Sequence, residues 1–330
     1  IKYPNWYDYY QNTGYNLAEQ PDIFDMIYTG TETRDPVYHQ QHLQPYQGYM
    51  LMRYLENVSP GKNGGGWVDP LDMRTLNRYG EQLALTLFAG ADEITLFRFG
   101  SLLEWIRNEE GEQEPVSMVA PVAGYVFDKS DAFLQMLGDP VGLPVYKPLN
   151  SSGEPYLPAY LGMLGIPIEM TQVFPDQAAS VILTASAAMD PDIIDRMKVH
   201  LTNGHDVIIT SGFLESMQDK GLKDIIEATY TDRKVKASAF TDLKFSNIYH
   251  LSDPFILPVI EFPTNDVWKE VAALDDADSY PMILKSQYGK GMIYVLTIPD
   301  TYSDLYKIPA ATLSLIRNLL LDDMEVILEA

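Results

Sequence analysis

Between Asp25 and Asp35 the chain reads Asp-Met-Ile-Tyr-Thr-Gly-Thr-Glu-Thr-Arg-Asp, and no other stretch constrains the fold as much. A short apolar, β-prone run from Met26 to Tyr28 is followed by Gly30 and then by a row of polar and charged side chains. A buried parallel strand whose C-terminal end opens into a site has this pattern. Apolar residues fill the sheet, and the loop after the strand carries the chemistry. The strand is expected over Ile23 to Thr29, after an irregular lead-in rich in Tyr, Trp and Asn that holds a short helix around Trp6 to Tyr10.

The spacing of Leu43, Tyr46, Met50, Leu51 and Tyr54 predicts a helix within His39 to Asn57. Asn57 to Gly66 reads as a loop, and Trp67-Val68-Asp69-Pro70 as a short strand ending in an acid. From Leu71 to Ala89 a second helix is expected, with Met73, Leu76, Tyr79, Leu83, Leu87 and Phe88 on one face and Gly90 as its stop. Ile94 to Phe99 follows as a strand. Strand, helix, strand, helix, strand, in units of about 30 residues, is the order of right-handed βαβ units that build parallel sheets and barrels.

The charged stretch Glu104 to Pro121 is expected to hold a domain boundary, giving residues 1–115 as a first domain, 116–322 as a second and 323–330 as the start of a further β element. A second alternation is expected from a strand at Val122 to Asp128. It continues with a helix at Tyr156 to Leu164 and strands at Ile166 to Gln172, Ser180 to Ala185 and Asp206 to Thr210. Asp190 as N-cap, Pro191 at the first helical position and Gly204 as stop frame a helix between the last two strands. Ser211-Gly212 turns into another helix. Tyr280 to Lys285 and Gly291 to Ile298 pair across Gly289-Lys290-Gly291, Ala310 to Leu321 is helical, and Met324 to Leu328 begins one more strand.

At 330 residues the chain is long enough for two domains, each with its own core. A formal charge of -23 argues against nucleic acid and against an anionic membrane surface as partners, and no apolar run approaches the roughly 20 residues of a membrane helix. Without cysteine there are no disulfides, thiolate metal sites or cysteine nucleophiles. The 22 Tyr and 4 Trp suit sugar faces as well as an ordinary core. His39 and His42 stand three apart, but no third ligand accompanies them, so no metal is expected. No cofactor is expected either, since Gly61-Lys62-Asn63-Gly64-Gly65-Gly66 lacks the features of a phosphate loop. Beginning at Ile1 without a signal-like segment, the chain reads as a processed product or a piece of something longer.

The stretch from Leu71 to Phe99, with Gly90-Ala91-Asp92 leading into an apolar strand that ends Phe97-Arg98-Phe99, resembles the last helix and strand of the β-galactosidase barrel of glycoside hydrolase family 42. The second half is similar to the domain that follows that barrel, a flavodoxin-like module related to class I glutamine amidotransferases. The similarity rests on the run from Val181 to Thr210 and on Gln287-Tyr288-Gly289-Lys290-Gly291 leading into Ile293-Tyr294-Val295. The resemblance covers roughly Asp22 to Pro309. It implies an α/β architecture: the C-terminal part of a (β/α)8 barrel, then a flavodoxin-like domain through which the chain forms a homo-oligomer, a trimer or dimer. It also implies a bacterial protein, periplasmic or cytoplasmic, whose partner is a β-linked sugar, with galactosides foremost.

Glycoside cleavage uses two carboxyl groups facing one bond, about 5 to 5.5 Å apart in retaining enzymes. Glu32 and Asp69 fall at the C-terminal ends of adjacent predicted strands, where barrel enzymes place their sites. The resemblance implies a Glu nucleophile on strand seven. Either Glu32 is that Glu, with a long insertion after it, or Glu32 lies on strand six and the nucleophile position holds Asp69 or nothing. Arg34, Asp35, Trp67 and Arg98 are the candidate substrate contacts; Arg34 or Arg98 could instead neutralise Glu32, Trp67 could cap the barrel mouth, and Asp69-Pro70 also suits a helix N-cap. Ser211 occupies the strand-to-helix elbow where the amidotransferase relatives carry cysteine, and it reads as a degenerate elbow. Three βα units do not close a barrel, so this chain alone is expected to be inactive. A non-catalytic sugar-binding or assembly protein is the alternative.

Overall fold

The computed structural model describes residues 1–5, 8, 10–103, 105–107, 113–115, 118–243, 247–263, 265–275 and 278–321. Most of the helix expected at Trp6 to Tyr10 and the strand expected at Met324 to Leu328 lie outside the described residues, as does the element expected at 323–330. The chain divides into two compact units, Ile1–Val141 and Gly142–Ala330.

In chain order the first unit contains β1 (Lys2–Tyr3), α1 (Gln20–Ile23), β2 (Ile27–Gly30), α2 (Tyr46–Val58), β3 (Asn63–Val68), α3 (Leu76–Phe88), β4 (Glu93–Leu96), α4 (Phe99–Leu102), β5 (Trp105–Arg107), β6 (Gln113–Pro115) and α5 (Val119–Asp131). Strands β1 to β4 form one parallel sheet in sequence order. Three of these strands were legible in the sequence. The fourth, β1, is two residues long and has no periodicity to read. In a parallel sheet all C-terminal ends lie on one edge, so the loops after β2, β3 and β4 open together.

Strand β3 begins at Asn63, inside the stretch expected to be a loop. Its glycines permit close approach: a Cβ on Gly65 would stand 2.2 Å from Glu93 O, and one on Gly66 would stand 2.4 Å from Thr86 Cγ2. Helix α3 starts at Leu76 rather than Leu71. Its buried face is Tyr79, Gln82, Leu83 and Thr86, whereas Leu76 and Phe88 are exposed. The expected strand at Val122 to Asp128 is instead part of α5. Val119, Val122, Ala123 and Val126 recur at helical spacing and pack with Phe127 onto Tyr79, Leu83 and Val68. The first unit therefore runs to Val141 rather than 115, because α5 completes its core.

The second unit contains β7 (Leu143–Tyr146), α6 (Leu157–Met163), β8 (Ile168–Thr171), β9 (Ser180–Leu183), α7 (Ile193–Asn203), β10 (Asp206–Thr210), α8 (Ser211–Met217), β11 (Thr229–Asp242), β12 (Ile248–Glu261), β13 (Val267–Leu274), β14 (Ser279–Tyr288), β15 (Gly291–Leu296) and α9 (Ala310–Leu320). Its sheet has the order β12-β11-β13-β14-β15-β10-β9-β7-β8, parallel from β8 to β15 and antiparallel beyond. The core is apolar, with Val181, Leu183, Val207, Ile209, Phe213, Leu284 and Val295 at its centre. The sequence predicted nothing for β11 to β13. Strand β11 is charged and exposed through its first half, which hides the strand period. The cap of helix α7 is Asp192, two residues past the expected one. Asp190 Oδ1 accepts from Asp192 N–H at 2.9 Å in a turn before the helix.

Candidate active site

Four loops of the first unit meet at the C-terminal edge of its sheet, and Glu32 and Asp69 are both buried there. The main chain of Glu32 is fixed by Asn5 Nδ2, which donates to Glu32 O at 3.0 Å. Its side chain folds back over β2: a Cβ built on Gly30 would stand 2.6 Å from Glu32 Oε2. That oxygen is buried and has no hydrogen-bond partner among the described residues. Burial raises the Glu32 carboxyl to about 7 and the charge of Asp69 adds to this, while Lys2 and Arg34 oppose it. Glu32 is therefore a carboxyl that can still carry its proton well above the ordinary carboxylate range.

Asp69, unlike Glu32, is held through both of its carboxylate oxygens. Arg34 reaches it with a two-pronged grip, Nε to Oδ1 at 3.1 Å and Nη2 to Oδ2 at 2.8 Å, and the Leu71 N–H donates to Oδ1 at 3.0 Å. Both carboxylate oxygens are thus engaged. The Leu71 contact makes Asp69 the start of a turn rather than the helix N-cap its Asp-Pro context suited, since α3 begins at Leu76 with Thr75 before it. The hydrogen bond to Asp69 raises the Arg34 guanidinium further above its ordinary value. Arg34 also sits in the left-handed region, at φ 57°, where a side chain costs free energy and needs support.

His39 provides part of that support. Its Nε2 accepts from Arg34 Nη1 at 2.8 Å, and burial, then the neighbouring guanidinium, lower its proton affinity. His39 is therefore neutral at pH 7, and its 3.5 Å approach to Asp72 is no ion pair. His39 and His42 precede α2, which begins at Tyr46, so they share no helical face. No metal-holding cluster occurs among the described residues.

Of the other candidates, Asp35 turns inward, its Oδ1 accepting from the Val37 and Tyr38 amides at 2.9 and 3.0 Å. Trp67 is covered by its own neighbours: Lys2 Nζ lies 3.9 Å from its ring centroid and the Phe97 ring lies 5.1 Å away. Arg98 is exposed and forms no ion pair among the described residues. The cations that act on Glu32 are Lys2 and Arg34 rather than Arg98.

Two residues not singled out in the sequence complete the site. Lys2, on β1, has its ammonium destabilised by burial and partly restored by Glu32 and Asp69. Gln82, on α3, reaches the loops after both β2 and β3. A glutamine within the otherwise apolar stripe Tyr79, Leu83 was the available signal. In the second unit, Ser211 Oγ is buried and accepts from the Ile298 N–H at 2.9 Å, so it is held by the end of β15.

Residues 1–128 match the family model for a probable glycosyl hydrolase catalytic domain. Residues 138–301 match the model for the second domain of the uncharacterized protein SSO3021. The two matches meet close to the division between the compact units at Val141 and Gly142. The uncharacterized protein SSO3021 of Saccharolobus solfataricus is 23% identical over 345 residues, covering 99% of this chain and 55% of that one. Among solved structures the chain is similar to the cold-adapted β-galactosidase of Rahnella sp. R3, with 13% identity, a TM-score of 0.59 and 95% of this chain over 54% of that one. It is also similar to the β-galactosidase of the Antarctic haloarchaeon Halorubrum lacusprofundi, with 16% identity, a TM-score of 0.54 and 90% over 51%. A catalytic mutant of Gan42B, a GH42 β-galactosidase from G. stearothermophilus, matches with 13% identity, a TM-score of 0.51 and 88% over 49%. The chain thus spans about half the length of the relatives it matches. Its first 128 residues are similar to a glycosyl hydrolase catalytic domain, and its α/β fold is like that of family 42 enzymes.

Proposed function

We propose that this chain forms part of a glycoside hydrolase acting on β-linked sugars of the galactoside type, and that Glu32 is the carboxyl group its chemistry turns on. One observation carries this reading: Glu32 has a buried oxygen with no partner among the described residues, whereas both oxygens of Asp69 are engaged. A carboxyl that titrates near 7 can donate a proton to a leaving oxygen, or act on the sugar once ionised. Asp69 could act as the second carboxylate only after releasing the Arg34 guanidinium. In this reading Arg34, Arg98, Trp67 and Asp35 remain the candidate sugar contacts, Arg98 being the exposed one.

For the second unit, we read a flavodoxin-like domain used for self-association. The parallel order β8-β7-β9-β10-β15 supports the flavodoxin-like part of this reading, since in chain order those strands run 2-1-3-4-5.

The alternative, a sugar-binding or assembly protein without turnover, draws support from the grip of Arg34 on Asp69. Calorimetric titration with a galactose-configured iminosugar, alongside hydrolysis of aryl β-glycosides, separates the two. The enzyme reading expects binding that weakens at least about tenfold in Glu32→Gln, because the protonated amine pairs with the Glu32 carboxylate. Binding that ignores Glu32→Gln supports the alternative. Measured on the full-length protein that contains this chain, neither binding nor hydrolysis of any β-glycoside would sink both.

A further inference from the structure

Helix α3 carries two buried polar side chains four residues apart, Gln82 and Thr86, on the face turned to the sheet. Thr86 Oγ1 donates to Thr31 Oγ1 at 2.8 Å and so fixes the chain just before Glu32. Gln82 does more. Its Oε1 accepts from the Thr33 N–H at 2.5 Å and the Arg34 N–H at 2.7 Å, and its Nε2 donates to Asp69 O at 3.3 Å. A single amide thus ties the two loops that carry Glu32 and Asp69. It satisfies both amides that follow Glu32, including that of Arg34 in its left-handed conformation. Buried amides without a partner are costly, so the turn that aims Glu32 inward and Arg34 at Asp69 depends on this side chain.

We propose that Gln82 is a positioning residue of the site: by clamping the Thr33 and Arg34 amides to the Asp69 carbonyl, it sets the pose of the Glu32 carboxyl and the Arg34–Asp69 pair. The assignment of a catalytic purpose to that pose rests on the glycoside hydrolase reading; the clamp itself does not. The groups whose charges act on Glu32 are Lys2, Arg34 and Asp69, and only the last two lie on the clamped loops.

The test is the titration of Glu32 by carboxyl carbon NMR in the full chain, with thermal stability measured in parallel. Gln82→Met keeps the length but loses both the acceptor and the donor. The loop relaxes, water reaches Glu32, and its midpoint falls from about 7 by about one pH unit or more. Gln82→Glu keeps the acceptor for both amides and adds a negative charge, so its Glu32 midpoint stays at or above that of the parent. Should Gln82→Met fail to fold, Gln82→Asn, one methylene too short to serve both loops, is expected to show the same downward shift. A Glu32 midpoint unmoved in folded Gln82→Met and Gln82→Asn, with only the melting temperature lowered, overturns the proposal. Because no sugar enters the measurement, a shifted midpoint alongside a full-length protein that binds no glycoside would uphold the clamp and refute the glycosidase reading.

Discussion

The carboxyl of Glu32 lies where a side chain on Gly30 would have to be: a Cβ there would stand 2.6 Å from Glu32 Oε2 and 3.0 Å from Oε1. The glycine that ends β2 therefore serves the carboxyl two residues later. Gly30→Ala is expected to displace the far end of a single side chain rather than the sheet. The melting temperature should change little, corresponding to about 1 kcal/mol or less. The Glu32 titration should move down from about 7 as its carboxyl is pushed towards water, which carboxyl NMR of the variant would show. An unchanged midpoint would mean that the carboxyl does not occupy this place.

Glu32 also sets the pH response of the first unit. Its folded value, about 7, lies above the ordinary 4.5, so between those values the folded state binds more protons than the unfolded one. Stability from this group is complete below about 4.5 and is lost as pH rises to 7, at about 1.4 kcal/mol per pH unit. Glu32→Gln removes the titration. In denaturant melts the variant is expected to gain on the parent as pH rises from 5 to 7.5 and to hold that gain above. A constant difference across this range would count against a protonated Glu32.

Arg34 is not exchangeable for lysine. The guanidinium fork contacts both Asp69 oxygens and His39 at once, which a single ammonium cannot do. Arg34→Lys is expected to cost about 1–2 kcal/mol in urea melts, and more with Arg34→Met, which leaves a buried carboxylate without its cation. Equal stability of the lysine variant would show that the two-pronged contact contributes nothing.

The strand-to-site pattern at Asp25 to Asp35 was legible because apolar run, glycine and polar release fall in consecutive residues. Asp206 to Thr210 and the hairpin across Gly289 were legible for the same local reason. Two features defeated the sequence. Strand β1 is too short to show a period, and Gly64-Gly65-Gly66 reads as a loop unless the close approach of Glu93 and Thr86 is known. Val122 to Asp128 went wrong differently. Its β-branched residues suggested a strand, but Val119, Val122, Ala123 and Val126 had the spacing of a helix. Within the site, Glu32 and Asp69 could be picked out as acids at strand ends. The partnerless Glu32 oxygen and the gripped Asp69 could not, since they depend on burial and on Arg34 reaching across from another loop.

The two units should answer acid in opposite ways. In the second unit, His200 is buried against Phe174 and His205. Burial, and then the neighbouring His205, lower it from 6.5 to about 4. Between these values the unfolded chain binds the proton and the folded one does not. Stability from this group is therefore complete above about 6.5 and is lost as pH falls towards 4, again at about 1.4 kcal/mol per unit. Calorimetric scans at pH 5 and pH 7 should show it: acidification is expected to raise the transition of the first unit and lower that of the second. His200→Phe, which keeps a ring in the cavity, should flatten the acid loss in the second transition and leave the first unchanged. If both transitions move together in the parent, and the second still falls with acid in His200→Phe, the buried imidazole is not the acid-sensitive group.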